Sequence, residues 1–180
     1  MSLPSFRYHP DPIRSGSVVA SQAGCAVCEQ KRGYAYAGPV ISEDEDEPMV
    51  CPWCIADGSA HAKLGVEFFD SEGFEEGVPE GARNEIVERT PGYATWQDGA
   101  VWPACCDDAM AFVEPVGSKE IKAKYLRVEG AAMMYIVHQL GISGGAATRL
   151  LNTLDREKGP TGYLFRCLSC EAMQLRIDQG

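Results

Sequence analysis

Cys51-Pro-Trp-Cys-Ile-Ala-Asp-Gly58 and, upstream of it, Cys25-Ala-Val-Cys28 are the stretches on which the reading of this chain turns. Two residues between two cysteines let a tight turn aim both sulfurs at one point. Zinc takes four tetrahedral ligands, and thiolates at about 2.3 Å are among its best. One such pair is a weak signal, but two pairs separated by a loop of suitable length are a strong one. Between Cys28 and Cys51 lie 22 residues, slightly more than the usual ribbon loop of roughly 15–20. The excess falls on the acidic run Glu43-Asp44-Glu45-Asp46-Glu47, which a bulging solvated loop absorbs. Cys25, Cys28, Cys51 and Cys54 are therefore expected to close one zinc site. With four protein thiolates no position remains open for substrate, so the site is structural and contributes on the order of 10 kcal/mol to folding.

The other four of the eight cysteines are Cys105-Cys106 and Cys167-Leu-Ser-Cys170. The last pair lies between two strand-like segments, the usual setting of a zinc knuckle, and needs two more ligands. Cys105 and Cys106 are the remaining thiols. Side chains of neighbouring residues in extended chain point opposite ways, so both can reach one ion only at a bend. Either both bind, or one binds with help from Asp107, Asp108 or His138. A different pairing, in which the first and last Cys-x-x-Cys pairs share one ion, stays open. His9, His61 and His138 read as ordinary packed or solvated histidines, and Trp53, Trp96 and Trp102 as core.

Composition sets the surrounding limits. The chain has 180 residues, 45% hydrophobic and 23% charged, which suits one globular domain with a real core. The formal net charge of −10 argues against broad nucleic-acid binding, which draws on clustered Lys and Arg. No apolar run approaches the roughly 18 residues of a membrane span. The first residues show no basic-then-apolar signal, so the expectation is a cytoplasmic chain in a reducing compartment, where paired cysteines mean metal or redox chemistry.

The rest of the pattern reads as α+β: a zinc-ribbon-like N-terminal module packed on a mixed helix and strand domain that ends in strand, knuckle, strand. We expect a single domain over 1–180, with possible sub-modules at 21–65 (the ribbon) and 66–180. A Pro- and Ser-rich arm occupies the first 20 residues. Gly33 to Gly38 alternates aromatic and small residues, as a strand does. Short helices are expected over Ile55–Leu64, closed by Gly65, and over Pro79–Glu88. Asp98-Gly99 suggests a hairpin turn within Tyr93–Trp102, and Ala109–Val116 a strand. Ile121, Tyr125, Val128, Ala132, Ile136 and Leu140 recur at helical spacing, predicting one helix from a Ser118 cap to Gly141. A second helix starts at Ser143, and Gly159-Pro160 stops it.

Several longer strings carry a resemblance to a known family. Leu3-Pro-Ser-Phe-Arg-Tyr-His-Pro10, Arg32-Gly-Tyr34 with Tyr36-Ala-Gly-Pro39, Cys51-Pro-Trp-Cys-Ile-Ala-Asp-Gly58, Arg89-Thr-Pro-Gly-Tyr93 with Trp96-Gln97, and Pro160-Thr-Gly-Tyr-Leu-Phe-Arg-Cys-Leu-Ser-Cys170 all resemble the CbrC family of bacterial proteins. The resemblance spans nearly the whole chain. It implies a link to colicin tolerance under a two-component regulator, hence a stress- or envelope-related phenotype rather than a chemistry. The family tends to have His-Cys where this chain has Cys105-Cys106. That exchange keeps a zinc-ligand type and leaves no catalytic histidine at that point.

The leading functional expectation is a zinc-stabilised interaction protein with a protein partner. An alternative is a metal- or thiol-dependent enzyme that uses Cys105 and Cys106 with Asp107 and Asp108. A second is a DNA-binding regulator, from a faint helix-turn-helix pattern in Leu140-Gly-Ile-Ser143 and Ala146 to Leu151. A thioredoxin-like reading of Cys51-Pro-Trp-Cys54 lacks the βαβ context that such a site needs.

Overall fold

A computed structural model describes residues 2–42, 47–97 and 99–179. Two earlier expectations, the bulge of the acidic run at 43–46 and the turn at Asp98, lie outside the described residues. The described chain forms two compact units, residues 1–94 with 100–111, and residues 95–99 with 112–180.

In the first unit the arm is not simply extended. Asp11 caps a helical turn, α1 (Pro12–Ser15), by accepting from the Arg14 N–H at 3.1 Å, and Gly16 ends it with φ 90°. Strand β1 (Val18–Ala20) then pairs antiparallel with β2 (Tyr34–Tyr36), Val18 opposite Tyr36. Phe6, Tyr8 and His9 are buried, so the arm forms part of the core.

The helix expected over Ile55–Leu64 is two helices, α2 (Pro52–Ala56) and α3 (Ser59–Leu64), divided at Gly58 with φ 77°. Pro52, at the first helical position where a missing N–H costs nothing, starts α2 earlier than the apolar pattern suggested. Helix α4 (Glu80–Arg89) follows Pro79 and stops at Thr90, ahead of Pro91.

No hairpin forms over Tyr93–Trp102 among the described residues. Trp102 instead bridges to Phe74 in parallel, is fully buried, and donates its indole N–H to the Met110 carbonyl at 2.7 Å. Its ring meets Phe69 edge-on at 5.0 Å and Tyr93 at 5.6 Å. A short hairpin comes next, β3 (Ala104–Cys105) against β4 (Asp108–Ala109).

The second unit is a three-stranded sheet with helices. Strands β5 (Ala111–Val116), β6 (Thr161–Arg166) and β7 (Met173–Asp178) lie in the order β5-β6-β7, with β6 and β7 antiparallel. Pro115 fits because β5 is an edge strand, where a missing ladder donor is tolerated. The single helix expected from Ser118 is broken into α5 (Ser118–Lys124) and α6 (Val128–His138), with Gly117 rather than Ser118 at the cap. Helix α7 (Gly144–Thr153) starts just after Ser143, which makes no side-chain capping bond, and ends before Gly159. Ile121, Val128, Ala132 and Ile136 join Leu151, Leu164 and Leu175 in one apolar core. The apolar period survives the break because it reports which face is buried, not whether backbone hydrogen bonds run on.

Trp96 departs from the core reading: it is 52% exposed, its backbone N–H donating to Asp178 and its indole to Thr161. Within the sheet layer, Glu114 is fully buried, accepting from Arg156 at 2.9 Å and from the Tyr125 hydroxyl at 2.6 Å. Among the described residues no helix is long and apolar enough to cross a membrane. The class is thus α+β, with a four-cysteine cluster near the N-terminus in a ribbon-like module.

Candidate metal centres

The first Cys-x-x-Cys pair sits in a knuckle. The Cys25 N–H donates to the Gln30 carbonyl at 3.1 Å, and the Glu29 N–H returns to the Cys25 carbonyl at 2.8 Å. Glu29 takes φ 58° to close the turn. The Val27 N–H points at the Cys25 sulfur at 3.4 Å, the placement that stabilises a thiolate. The pair Cys51 and Cys54 is presented differently, Cys51 just before α2 and Cys54 within its first turn. The Cys51 N–H also donates to the Cys25 sulfur, at 3.3 Å.

These turns bring the sulfurs of Cys25, Cys28, Cys51 and Cys54 within 4.8 Å of one another. Four thiolates at about 2.3 Å from a tetrahedral ion would have sulfur–sulfur edges of about 3.8 Å. Cys28 and Cys51 stand 3.9 Å apart. Cys25, Cys51 and Cys54 are buried among Phe6, Tyr36, Val50, Ile55 and Phe68, with Cys28 half-buried. Over one edge, the Arg32 guanidinium lies 5.4 Å from the centre of the Trp53 ring.

Electrostatics at this cluster favour a cation. Burial pushes the Cys25 thiol up, but the N–H groups of Cys28, Cys51 and Val27 outweigh it and bring Cys25 down to about 7. Cys51 and Cys54 are pushed up, first by burial and also by the neighbouring sulfurs. Several like charges within so small a space repel, and a dication removes the conflict by letting all four thiols ionise.

The remaining cysteines repeat parts of this design. Cys167 and Cys170 occupy a knuckle between β6 and β7. The Cys167 N–H donates to the Ala172 carbonyl at 2.8 Å, and the Ser169 and Cys170 N–H groups point at the Cys167 sulfur at 3.4 and 3.5 Å. Glu171 closes it with φ 58°, matching Glu29 in the first knuckle. Cys105 ends β3, and Cys106 and Asp107 form the two-residue connection to β4 with φ 54° and 58°. Two successive positive φ values are the mark of a type I′ turn. That turn is the bend that two adjacent ligands require: the Cys105 and Cys106 sulfurs lie 3.7 Å apart, again one tetrahedral edge. Asp108, the first residue of β4, accepts from Arg7 at 2.6 Å and from the Tyr8 hydroxyl at 2.9 Å, so the N-terminal arm holds the hairpin.

Within the first unit, Cys25, Cys28, Cys51 and Cys54 form a group of four cysteines that could hold a metal ion. That group includes no histidine. His61 instead contacts the Val66 carbonyl at 3.0 Å, and His9 is buried between the Pro91 carbonyl and the Ser15 hydroxyl, each at 2.6 Å. The supporting roles of Arg7, Tyr8, Glu29 and Glu171 carry no local signal in the sequence, since each depends on a turn or on a partner far along the chain.

The fold and the first cluster define an α+β protein with a tetracysteine group of metal-binding design. The chain belongs to the Uncharacterised protein family (UPF0167), whose model matches residues 3–179. It is 41% identical over 169 residues to UPF0167 protein Mb2317 of Mycobacterium bovis, covering 93% of this chain and 89% of that protein. It is 40% identical over 180 residues to UPF0167 protein PA1536 of Pseudomonas aeruginosa, covering 98% and 97%. No solved structure matches the chain.

Proposed function

We propose that this protein is a cytoplasmic, CbrC-like zinc protein that acts through a protein partner and has no catalysis of its own. One zinc ion is held by Cys25, Cys28, Cys51 and Cys54, and Cys105, Cys106, Cys167 and Cys170 are the remaining candidate zinc ligands. The observation that carries the reading is the first cluster: four sulfurs within 4.8 Å, mostly buried and supplied with backbone N–H donors. Thiolate-only tetrahedra suit zinc or iron, and zinc has no redox chemistry to offer. With four protein ligands each ion is closed to substrate, so its contribution is to hold the fold. The carboxylate of Asp108 is engaged by Arg7 and Tyr8, which counts against a general base beside Cys105 and Cys106. A link to colicin tolerance would then work through contact with the partner.

Elemental analysis of the purified protein tests this, with thiols counted before and after chelation. Two zinc ions per chain and thiols that react only after chelation are the expected result. A folded chain with no metal and eight titratable thiols would remove the proposal, and iron in place of zinc would replace its chemistry. Retention of a specific partner from host extract, lost on chelation, is the matching test of the interaction role.

A further inference from the structure

The hairpin that carries Cys105 and Cys106 lies wholly within the first unit and is held from several sides. Trp102 before it and Met110 after it are fully buried, and the Met110 N–H donates to the Pro103 carbonyl at 3.0 Å. The Ala104 N–H donates to the Glu75 carboxylate at 3.0 Å, while Arg7 and Tyr8 hold Asp108. The turn at the tip is backbone-strained. Cysteine at φ 54° lacks the freedom of glycine or the local hydrogen bonding of asparagine. Such strain persists where surrounding structure enforces it, and it tends to mark functional positions. The outcome is two sulfurs fixed 3.7 Å apart on one turn, Cys106 exposed and Cys105 half-buried.

We propose that Cys105 and Cys106 form a dithiol site for trivalent arsenic oxyacids and their organic derivatives, complete within the turn. Thiolates are soft ligands and prefer soft centres. Tetrahedral zinc needs four ligands, whereas pyramidal trivalent arsenic is served by two sulfurs and one remaining oxygen or carbon. With arsenous acid, two arsenic–oxygen bonds break and two arsenic–sulfur bonds form. The two thiol protons leave with the displaced hydroxyls as two waters, the third hydroxyl stays, and arsenic remains trivalent. One thiol alone makes the same bond but loses it to water or to a competing thiol. A second thiol held in place recaptures the arsenic before it escapes, so the pair gains by effective concentration. Binding needs these two sulfurs only, and a zinc ion held by them is a competitor that the arsenical displaces. The buried cluster of Cys25, Cys51 and Cys54 offers no such entrance, because Phe6, Tyr36, Ile55 and Phe68 surround it. Asp108 acts as a positioning residue for the turn.

The probe is phenylarsine oxide, added in excess to the purified full-length protein in millimolar glutathione. Its oxygen leaves as one water when two thiols bind. Intact-mass spectrometry counts the adducts, and elemental analysis counts zinc in the same sample. One arsenical per chain is expected, with one zinc ion retained, and 2,3-dimercaptopropanol should remove the adduct. Cys105→Ser or Cys106→Ser should each weaken retention about a hundredfold or more, and Cys167→Ser should leave it unchanged. Should these variants fail to fold, N-ethylmaleimide labelling of the unaltered protein with and without the arsenical, mapped by mass spectrometry, replaces them. Protection should then fall on Cys105 and Cys106. No retained adduct, an adduct that survives Cys106→Ser, one lost in a folded Cys167→Ser chain, or protection mapped to other cysteines overturns the inference and leaves the zinc reading of the first cluster standing. A chain that lacks zinc but holds the arsenical on Cys105 and Cys106 refutes that reading and supports the inference.

Discussion

Acid should destabilise this protein through His9, and the size of the effect follows from its surroundings. The side chain is fully buried in the first unit, between Pro91 and Ser15. The Pro91 carbonyl can only accept, so Nδ1 carries the proton and Nε2 accepts from the Ser15 hydroxyl. Burial lowers the His9 pKa from the ordinary 6.5 to about 4, opposed weakly by the Pro91 carbonyl and by Asp11. The sign runs opposite to that of a salt-bridged histidine. Above pH 6.5 both folded and unfolded chains hold His9 neutral, and stability is at its full value. Between 6.5 and 4 the unfolded chain takes up a proton that the folded chain refuses, so stability falls as pH falls. The slope is about 1.4 kcal/mol per pH unit, or roughly 3 kcal/mol across the whole window. Protonated His9 could still donate to Ser15, whose own proton can turn to the Pro12 carbonyl at 3.1 Å, so this figure is an upper value. Any metal held by the clustered thiols would also be lost in acid, and a variant is needed to separate the two effects. Urea denaturation of the wild type and of His9→Gln, at pH 7.0, 6.0 and 5.0, isolates the histidine. The wild type should be the more stable at pH 7 and should lose about 2 kcal/mol more than the variant on going to pH 5. Parallel loss in the two proteins would refute the argument.

In the second unit, Arg156→Met should cost about 3 kcal/mol by chemical denaturation, because it removes the guanidinium that the buried Glu114 carboxylate accepts from. Adding Glu114→Gln should restore much of that loss, and a cost below about 1 kcal/mol for the single change would show that the pair is not desolvated. Gly92→Ala should destabilise by about 2 kcal/mol or more, since a Cβ there would run into the Phe68 carbonyl oxygen and crowd the Tyr36 hydroxyl that accepts from the Gly92 N–H. Gly81→Ala, with open space around it on α4, is the control and should be neutral or slightly stabilising. Thermal melts of the two glycine variants that coincide would sink this reading.

Local chemistry made the knuckles legible. A cysteine three residues from its partner needs only a turn, and the strand-like runs around Cys167 and Cys170 follow from alternation alone, so β6, the knuckle and β7 could be read directly. The same holds for α4, bracketed by Pro79 and Pro91, and for the start of α7 at Ser143. Misreadings arose where a local preference met a tertiary demand. Trp102 was expected in a hairpin strand, but it is taken up by Phe69, Tyr93 and the Met110 carbonyl. Trp96 looked like core and lies half in solvent, held by Asp178 and Thr161.

The sequence by itself determined that eight cysteines fall into pairs suited to a thiophilic ion, that the chain is acidic and α+β, and which faces of its helices are apolar. Those properties depend on residue type and short spacing. Only the tertiary structure decided how the sulfurs of Cys25, Cys28, Cys51 and Cys54 come within reach of one ion, and how the adjacent Cys105 and Cys106 come to face the same way. Backbone conformation at Cys106, the Arg7–Asp108 ion pair and the shell of Phe6 and Phe68 decide those matters. They join residues up to 101 positions apart, a separation over which local spacing carries no information.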